Sequence, residues 1–303
     1  MNPITTEQNN KKQIQRLAAQ RQLYATAKKV FGVQLVLSGP VAIASAVIGI
    51  FFSTLKGYIG LWGILVVLGD LFWLSPWQKR LRASAAGVQE VFDCDVLSLP
   101  WNALKAGMRP DPELIKEQSD KYARRASKMP PLNNWYPVEY GDLPLHVGRI
   151  GCQRSNCWWD SKQRRRYAVS IIIGIIVVFI VVLCAAMYRN LTIEDFILKV
   201  VAPLAPALSL GIRQFKEHMD AAARLDKLKE HSERLWNDAL NGAPESTTTT
   251  GSRGLQDEIL ENRKQGPLVF DAFFKWHRRD YEAHMNYSAD ELASEARRRL
   301  KLT

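Results

Sequence analysis

Residues 168–188 read AVSIIIGIIVVFIVVLCAAMY and contain no charged side chain. An α-helix needs about 20 predominantly apolar residues to cross the roughly 30 Å hydrocarbon core of a bilayer. This stretch therefore predicts a membrane-spanning helix. Residues 33–52 also lack charged side chains, and residues 57–77 contain only one, that of Asp70. These two windows predict two further spans ahead of it.

The fourth candidate span, residues 193–212, is weaker. Three charged side chains, including that of Lys199, lie near its start, and Pro203 and Pro206 fall within it. Prolines are tolerated in membrane helices because neighbouring groups satisfy the backbone atoms that they free. Without this span the two large basic segments of the chain would lie on opposite sides of the membrane, so we expect it to be a fourth helix.

The positions of lysine and arginine predict the orientation. The chain has 41 Lys and Arg against 30 Asp and Glu, which gives a net charge of +11. Residues 1–32 contain six of these cations, residues 77–167 sixteen and residues 213–303 sixteen, which leaves three for the rest of the chain. Because cytoplasmic loops are enriched in Lys and Arg, both termini and the central segment are expected to be cytoplasmic.

The sequence thus predicts an all-α membrane protein with four transmembrane helices in two hairpins and a mostly helical cytoplasmic domain. Residues 5–8 form a capping-box pattern that indicates one long lead-in helix, and leucines near heptad spacing after residue 225 indicate a coiled-coil-like stalk. Thr, Ser, Gly and Pro before residue 255 indicate a flexible linker. The predicted segments are the amphipathic lead-in helix 1–32, the first hairpin 33–77, the central segment 78–167, the second hairpin 168–212, the stalk 213–240, the linker 241–254 and the C-terminal helices 255–303.

Polar and helix-breaking residues inside the spans are candidates for a pore or gate. An acidic side chain at the bilayer centre costs about 2.5 to 3.5 kcal/mol on insertion scales, so Asp70 indicates a partner or a water path. The alternative is that Asp70 lies near the cytoplasmic headgroups and is hydrogen-bonded to a neighbouring helix. The candidate pore or gating residues are Asp70, Lys199, Pro203 and Pro206.

The densest group of functional side chains lies just before the third span, at residues 149–160. Arginine and glutamine side chains next to two tryptophans can stack on a base and hold a phosphate. The alternative is that the tryptophans are membrane-interface anchors and the arginines pair with Asp160 or with lipid phosphates. A nearby LNNWYP motif indicates packing unless a ligand binds there. The candidate ligand-binding residues are Arg149, Gln153, Arg154, Trp158, Trp159, Asp160, Trp135 and Tyr136.

The residues offer little evidence for catalysis or metal binding. The four cysteines are not spaced as a disulfide framework, and Cys152 and Cys157 lack a second Cys or His pair at zinc-ligand spacing. Asp93 and Asp95 flank a cysteine and could be catalytic, but a buried extended segment that ends at a proline is the favoured interpretation. No phosphate loop, Ser-His-Asp order or deaminase signature occurs. We therefore expect no enzyme, no catalytic residue, no metal and no cofactor.

Several stretches together resemble one family, the S-4TM family of four-span bacterial effectors. The most specific of them is CQRSNCWWD at residues 152–160. The others are LYATAK at 23–28, VFDCDVLSLPWN at 91–102, LNNWYP at 132–137, APLAPA at 202–207 and LQDEI at 255–259.

The resemblance implies a function in bacterial immunity. Members of this family are found beside nucleotide second-messenger synthases in anti-phage systems. The implied protein is a dormant multi-pass protein of the bacterial inner membrane, with cytoplasmic termini, that responds to an infection signal by permeabilising the membrane and arresting the host. Because four packed helices fill their own interior, a pore would need several copies.

The expected partners follow from this function. They are the lipid bilayer, further copies of the chain and a cyclic oligonucleotide or signalling protein, with no nucleic acid polymer. Two alternatives remain open. One is a non-conducting membrane-anchored sensor or scaffold that binds a nucleotide or protein, and the other is a membrane-bound hydrolase that uses Asp93, Asp95 or the cysteines.

Overall fold

The computed structural model describes residues 1–41, 44, 56–125, 132–188, 192–197 and 202–302. Within these ranges the chain is helical with turns and coil and has no β-strand, which confirms the all-α prediction. π-Helical turns follow the second helix (Leu37–Val41) and join the third to the fourth (Asp70–Leu74). The helices are α1 (Ile4–Glu7), α2 (Lys11–Val36), α3 (Lys56–Gly69), α4 (Ser75–Val96), α5 (Ala103–Ala106), α6 (Pro112–Ala123), α7 (Leu145–Tyr188), α8 (Ile193–Phe196), α9 (Ala202–Leu240), α10 (Glu245–Gln265) and α11 (Asp271–Arg299).

The capping-box pattern predicted one long lead-in helix, but the N-terminal segment contains two helices. The short helix α1 ends at Glu7, and α2 begins at Lys11 after Asn10, whose side chain accepts a hydrogen bond from the backbone N–H of Lys12 at 3.2 Å. The chain turns here because Asn2 is tied to the central segment: its amide donates to the carbonyl oxygens of Tyr140 and Leu143. The N-terminus is thus part of the folded domain.

The segment around Asp93 is helical, so the prediction of an extended strand-like segment is wrong. α4 continues to Val96, and the chain turns at Ser98, which has a φ of 51°. Val88, Phe92 and Val96 are fully buried. Because these residues recur every four positions, they form one face of a helix. The prediction that this segment is buried is confirmed.

The two longest helices, α7 and α9, pack against each other and form the most extensive helix pair of the described structure. Gly211 allows a close approach, since a Cβ atom at this position would lie 2.8 Å from Cδ1 of Ile175. The predicted stalk is the second half of α9, and it ends at Leu240. However, Leu225 packs against Leu255 and Ile259 of the same chain. The heptad face is therefore covered within the protein, and it is not a free coiled-coil surface.

The predicted flexible linker is largely helical. α10 begins at Glu245 and includes the threonine run, after a turn at Gly242 with a φ of +88°. The linker prediction from composition is wrong because Thr248, Ser252, Leu255 and Ile259 are all buried on one face of the helix. Burial of this face against the rest of the domain outweighs the weak helix propensity of threonine, serine and glycine.

One hydrophobic core joins the three basic segments of the chain. The N-terminal segment, the central segment and the C-terminal segment each contribute buried side chains to a single contiguous cluster. The folded domain therefore includes the N-terminal helices as well as the central and C-terminal segments. Representative members of this core are Leu17, Phe92, Tyr140, Ile150, Trp236 and Ala293.

Large apolar side chains are exposed mainly in the two regions predicted as hairpins, residues 33–77 and 168–212. One helical stretch among the described residues, Leu61–Val96, is long and apolar enough to cross a membrane by length and composition. The exposed surface of α7 changes character at Val169: the exposed side chains before it, Lys162, Arg165 and Arg166, are charged, whereas those after it are mainly apolar. Exposed members include Val33, Val36, Leu61, Ile64, Val67, Leu71, Phe72, Trp73, Val169, Ile173, Ile176, Phe179, Val181, Ile193 and Ile212.

His218 is fully buried on α9, with its ring edge-on to that of Tyr167 at a centroid distance of 4.7 Å. Neither ring nitrogen has a hydrogen-bond partner among the described residues. Burial, with a smaller contribution from the positive charge of Arg164, lowers the pKa of His218 to about 3. The imidazole is therefore neutral in the folded protein at physiological pH.

Substitutions at glycines test whether residues 245–265 are a helix. Gly254 is exposed, and no atom lies within 4 Å of the position that a Cβ atom would occupy. Gly254→Ala should therefore raise the free energy of unfolding by up to about 1 kcal/mol, and Gly254→Pro should lower it by about 3 kcal/mol. Unfolding in detergent micelles measures both. Gly242→Ala is the control, since its positive φ makes alanine destabilising there. A flexible linker would leave stability unchanged in both Gly254 variants.

Buried neutral His218 makes stability depend on pH. Its pKa is about 6.5 in the unfolded chain and about 3 in the folded one, so its contribution is fully present above pH 6.5 and is lost as the pH falls towards 3. Between pH 7.5 and 5 the wild type should lose about 2 kcal/mol that His218→Leu retains. Melting curves in detergent at both pH values measure the difference. His231→Leu, on a less buried part of the same helix, is the control and should follow the wild type.

Candidate ligand-binding cleft

Two adjoining cavities form one cleft in the folded domain, with volumes of about 240 and 370 Å³. The cleft lies between α2, α7, α11 and the segment before the 3₁₀ turn Val138–Asp142. Five residues line both cavities, which shows that the cavities are neighbours. They are Arg21, Trp135, Asn156, Trp159 and Phe274.

Aromatic rings form part of the cleft wall. The Trp159 ring lies 5.5 Å from that of Tyr281 and 6.3 Å from that of Phe274, measured between centroids, so its orientation is fixed by two neighbours on α11. The guanidinium carbon of Arg21 lies 5.4 Å from the centroid of the Trp135 ring. Both tryptophans are half-buried. A planar aromatic ligand could therefore stack on either ring.

The smaller cavity is rich in positive charge. Lys28 pairs with Asp271 at 2.5 Å, and Arg164 pairs with Asp160 at 3.0 Å. Five cationic side chains line this cavity against two acidic ones, so its field favours an anionic ligand. The cations are Arg21, Lys28, Arg164, Arg263 and Lys275, and the acids are Asp160 and Asp271.

Several buried polar atoms of the cavity-lining residues have no hydrogen-bond partner within the described part of the chain. They include Oε1 of Gln20, Nδ2 of Asn156 and Nη2 of Arg263. Most buried polar side-chain atoms in folded proteins are hydrogen-bonded. The wall of the cleft thus has donors and an acceptor with which a polar ligand could form hydrogen bonds.

Behind the cleft lies a buried carboxylate, that of Asp93 on α4. Its side chain is fully buried and accepts hydrogen bonds from Nη1 of Arg263 at 2.5 Å, from Oη of Tyr136 at 2.6 Å and from Nε2 of Gln256 at 2.9 Å. Burial lowers the pKa of Arg263, but the negative charge of Asp93 outweighs it, and the pKa lies above its ordinary value. The guanidinium of Arg263 therefore stays protonated in the folded protein.

A second buried ion pair also joins α4 to α10, the helix that carries Arg263. Nη2 of Arg253 donates to Glu90 at 2.6 Å, and Gln256 donates to the other oxygen of Glu90 at 2.9 Å. Gln153 of α7 extends this network, because its amide donates to the side-chain oxygen of Gln256 at 3.0 Å and accepts from the hydroxyl of Ser252 at 2.7 Å. α4, α7 and α10 are thus connected through side chains shielded from water.

Comparison with known proteins identifies the family of the chain. Residues 2–292 match the SMODS-associating 4TM effector domain. The chain belongs to this family. A protein of Bacillus cereus strain VD146, described as a probable CBASS effector molecule, is 24% identical over 282 residues that cover 90% of this chain and 92% of the relative. No solved structure matches. The S-4TM resemblance seen in the sequence is thereby confirmed, and the protein is an effector of the SMODS-associating 4TM class.

In this 4TM effector, four of the eight predicted ligand-binding residues line the cleft: Trp135, Tyr136, Trp159 and Asp160. Trp158 lines a different groove, next to the start of the exposed apolar part of α7. The structure therefore divides the adjacent tryptophans between two surfaces.

The other three predicted residues hold the domain together. Arg154 donates to Glu233 of α9 at 2.8 Å, and Arg149 donates to Thr249 of α10 at 3.4 Å. Gln153 is part of the buried network described above. A consecutive run on a helix points in all directions, which is why these side chains do not meet at one site.

Several cleft residues were not predicted. Gln20 and Arg21 come from α2, Arg263 from α10 and Lys275 from α11. They are brought together only by tertiary packing, and no local motif marks them. Asn156 is different, because it lies inside the CQRSNCWWD stretch and could have been included on that ground.

The predicted pore residues are only partly described. The carboxylate of Asp70 accepts hydrogen bonds from the amide of Gln34 at 2.6 Å and from the hydroxyl of Ser75 at 3.2 Å, so it has a partner on the neighbouring helix α2. Pro203 and Pro206 lie near the start of α9. Lys199 lies outside the described residues.

The cysteines of the central segment are buried thiols. Burial raises the pKa of Cys157 to about 12 and holds that of Cys152 well above its ordinary value. Both are therefore protonated at neutral pH, whereas the thiolate is the nucleophile and the metal ligand. Over the described ranges, no group of three or more His, Cys, Asp or Glu side chains is placed to hold a metal ion.

Proposed function

We propose that this 4TM effector acts in a bacterial anti-phage defence system and that, on activation by a cyclic oligonucleotide, it oligomerises and permeabilises the inner membrane. Family membership supports the effector role, and the B. cereus relative supports a cyclic-nucleotide signalling system of the CBASS type. The observation that carries the membrane part is the exposure of large apolar side chains at many of the described positions within residues 33–77 and 168–212. Soluble proteins rarely expose apolar surface on this scale.

The shared hydrophobic core supports four crossings. Because the N-terminal, central and C-terminal segments pack into one core, they must lie on the same side of any membrane that the chain enters. Each apolar region between them must then leave and return, which two helices per region accomplish. The excess of Lys and Arg in the same three segments favours the cytoplasmic side, so both termini are proposed to be cytoplasmic.

Oligomerisation follows from the size of the membrane part. Four helices packed together fill their own interior, so a conducting path needs contacts between copies or a rearrangement. The heptad face of α9 is covered within the chain. Association between copies is therefore proposed to use the exposed apolar surfaces of α3, α7 and α9, and not a cytoplasmic coiled coil.

The cleft supports a cyclic oligonucleotide as the signal. Such a ligand combines bases, which stack on aromatic rings, with phosphates, which bind cationic side chains. Trp135 and Trp159 supply the rings, and Arg21, Lys275 and Arg263 contribute positive charge. A cleft of this composition is suited to a small anionic nucleotide, and its volume is too small for a nucleic acid polymer to thread through.

A flux assay tests the proposed function. Purified protein in liposomes of bacterial lipids that contain a self-quenching dye should release the dye when a matching cyclic di- or trinucleotide is added from a panel, because ligand binding opens the membrane part. Linear nucleotides and protein-free liposomes are the controls. Binding of a cyclic nucleotide without release would instead favour the non-conducting sensor, and failure of the protein to insert would contradict the membrane assignment.

The two adjacent tryptophans provide a matched pair for the ligand site. Trp159→Ala should lower cyclic-nucleotide affinity by about 5- to 150-fold, since stacking on an aromatic ring contributes about 1 to 3 kcal/mol per base. Trp158→Ala removes the same side chain from the neighbouring groove and should change affinity by less than about threefold. Fluorescence titration with labelled cyclic dinucleotides measures both, and equal effects would place the site elsewhere.

A further inference from the structure

The carboxylate of Asp93 links the ligand cleft to the apolar helix α3. α3, the π-turn Asp70–Leu74 and α4 follow one another without a break from Lys56 to Val96. Asp93 lies in the last turn of α4, where two of its three partners, Arg263 and Tyr136, also line the cleft. The last turn of this long helix is therefore held by cleft residues.

The two terminal nitrogens of the Arg263 guanidinium, Nη1 and Nη2, have different surroundings. Nη1 is bound to Asp93, whereas Nη2 has no partner among the described residues, and the side chain is only 7% exposed in the cavity wall. A guanidinium binds phosphate best as a planar fork through two N–H groups. A phosphate in the cleft would therefore engage Nη2 first and then compete for the Nη1 donor.

We propose that Arg263 binds a phosphodiester of the activating ligand and that this contact weakens its ion pair with Asp93, which releases α4 and the apolar helix continuous with it. The inference rests on the proposed function, because it requires an anionic ligand in the cleft. It assigns the ligand-binding role to a residue far from the CQRSNCWWD stretch, and it makes Asp93 a positioning residue for the resting state.

The burial of Asp93 explains why loss of its ion pair with Arg263 would release α4. A carboxylate without water needs a cation or several donors close by, and removal of one partner of a buried ion pair is strongly destabilising. When Arg263 turns towards a phosphate, only Tyr136 and Gln256 still donate to Asp93. The end of α4 then gains stability by moving to a position where water reaches Asp93.

The Arg253–Glu90 pair is the internal control. It joins α10 to α4 as the Arg263–Asp93 pair does, it is similarly buried, and Gln256 donates to both carboxylates. Arg253 does not line the described cleft. If both pairs were purely structural, substitution of either arginine would change ligand affinity to the same extent. If Arg263 binds the ligand, its substitution lowers the affinity more than that of Arg253.

The binding test compares Arg263→Gln with Arg253→Gln in full-length protein in nanodiscs, titrated with labelled cyclic dinucleotides and trinucleotides. Arg263→Gln should lower affinity by about 10- to 100-fold, as expected for loss of hydrogen bonds to a charged group, and Arg253→Gln by less than about threefold. Thermal melting checks that both variants are folded. Equal affinities in the two folded variants and the wild type would overturn the role of Arg263.

The coupling test needs no ligand. Amide hydrogen exchange in the last three turns of α4 should be at least about tenfold faster in Asp93→Asn than in wild type, because the neutral side chain no longer holds Arg263, and slower in Glu90→Gln than in Asp93→Asn. Equal exchange in these two variants would overturn the coupling. If no cyclic nucleotide binds the wild type, the proposed signal fails, yet this measurement still decides whether Asp93 restrains α4.

Discussion

The burial of two carboxylates on α4, Glu90 and Asp93, constrains how the helices of the folded domain pack. Each must be paired with a cation, since an uncompensated buried charge is costly, and both cations come from α10. α10 must therefore lie along α4 in one register. This register in turn places Gln256 against Gln153 of α7 and aligns Arg263 with the cleft. The region that composition marks as a linker is thus the element that connects the other helices.

The common core of the three basic segments imposes a second constraint, on the path of the chain. The apolar residues described in 33–77 and in 168–212 connect parts of this one folded domain. This arrangement supports the proposal that each region extends from the domain as a hairpin. Lys and Arg near the ends of the two regions favour the cytoplasmic leaflet of the membrane. The exposed apolar side chains would then contact lipid or another copy of the chain.

Hydropathy predicted helical spans and the place near Val169 where the exposed side chains of α7 change from charged to mainly apolar. It could not predict that the helix continues through this point from Leu145 to Tyr188, because hydropathy reports the surroundings of a helix and not its ends. Four of the eight predicted ligand residues, Trp135, Tyr136, Trp159 and Asp160, line one cleft, and their binding of a ligand stays a prediction. Arg263, Gln20 and Lys275 could not be found this way, because helix packing alone brings them to the cleft. Threonine-rich residues 245–250 were misjudged because tertiary burial outweighs helix propensity.

The cleft and the apolar surface share helices, which determines how a signal can travel. Trp159 and the first exposed apolar residue, Val169, lie on the same helix, ten residues or about 15 Å apart at helical rise. Because α7 is one continuous helix over this distance, a shift of the cleft wall would also shift the apolar part of the helix. α4 provides a second connection, to α3, which we propose that Asp93 holds in the resting state. A ligand that moves α7 and α4 together would change the distance between the two apolar regions. A ligand that moves only one of these helices would tilt only the apolar region attached to it. For this reason a binding site between α2, α7 and α11, and not one on a single helix, is suited to control of a membrane effector.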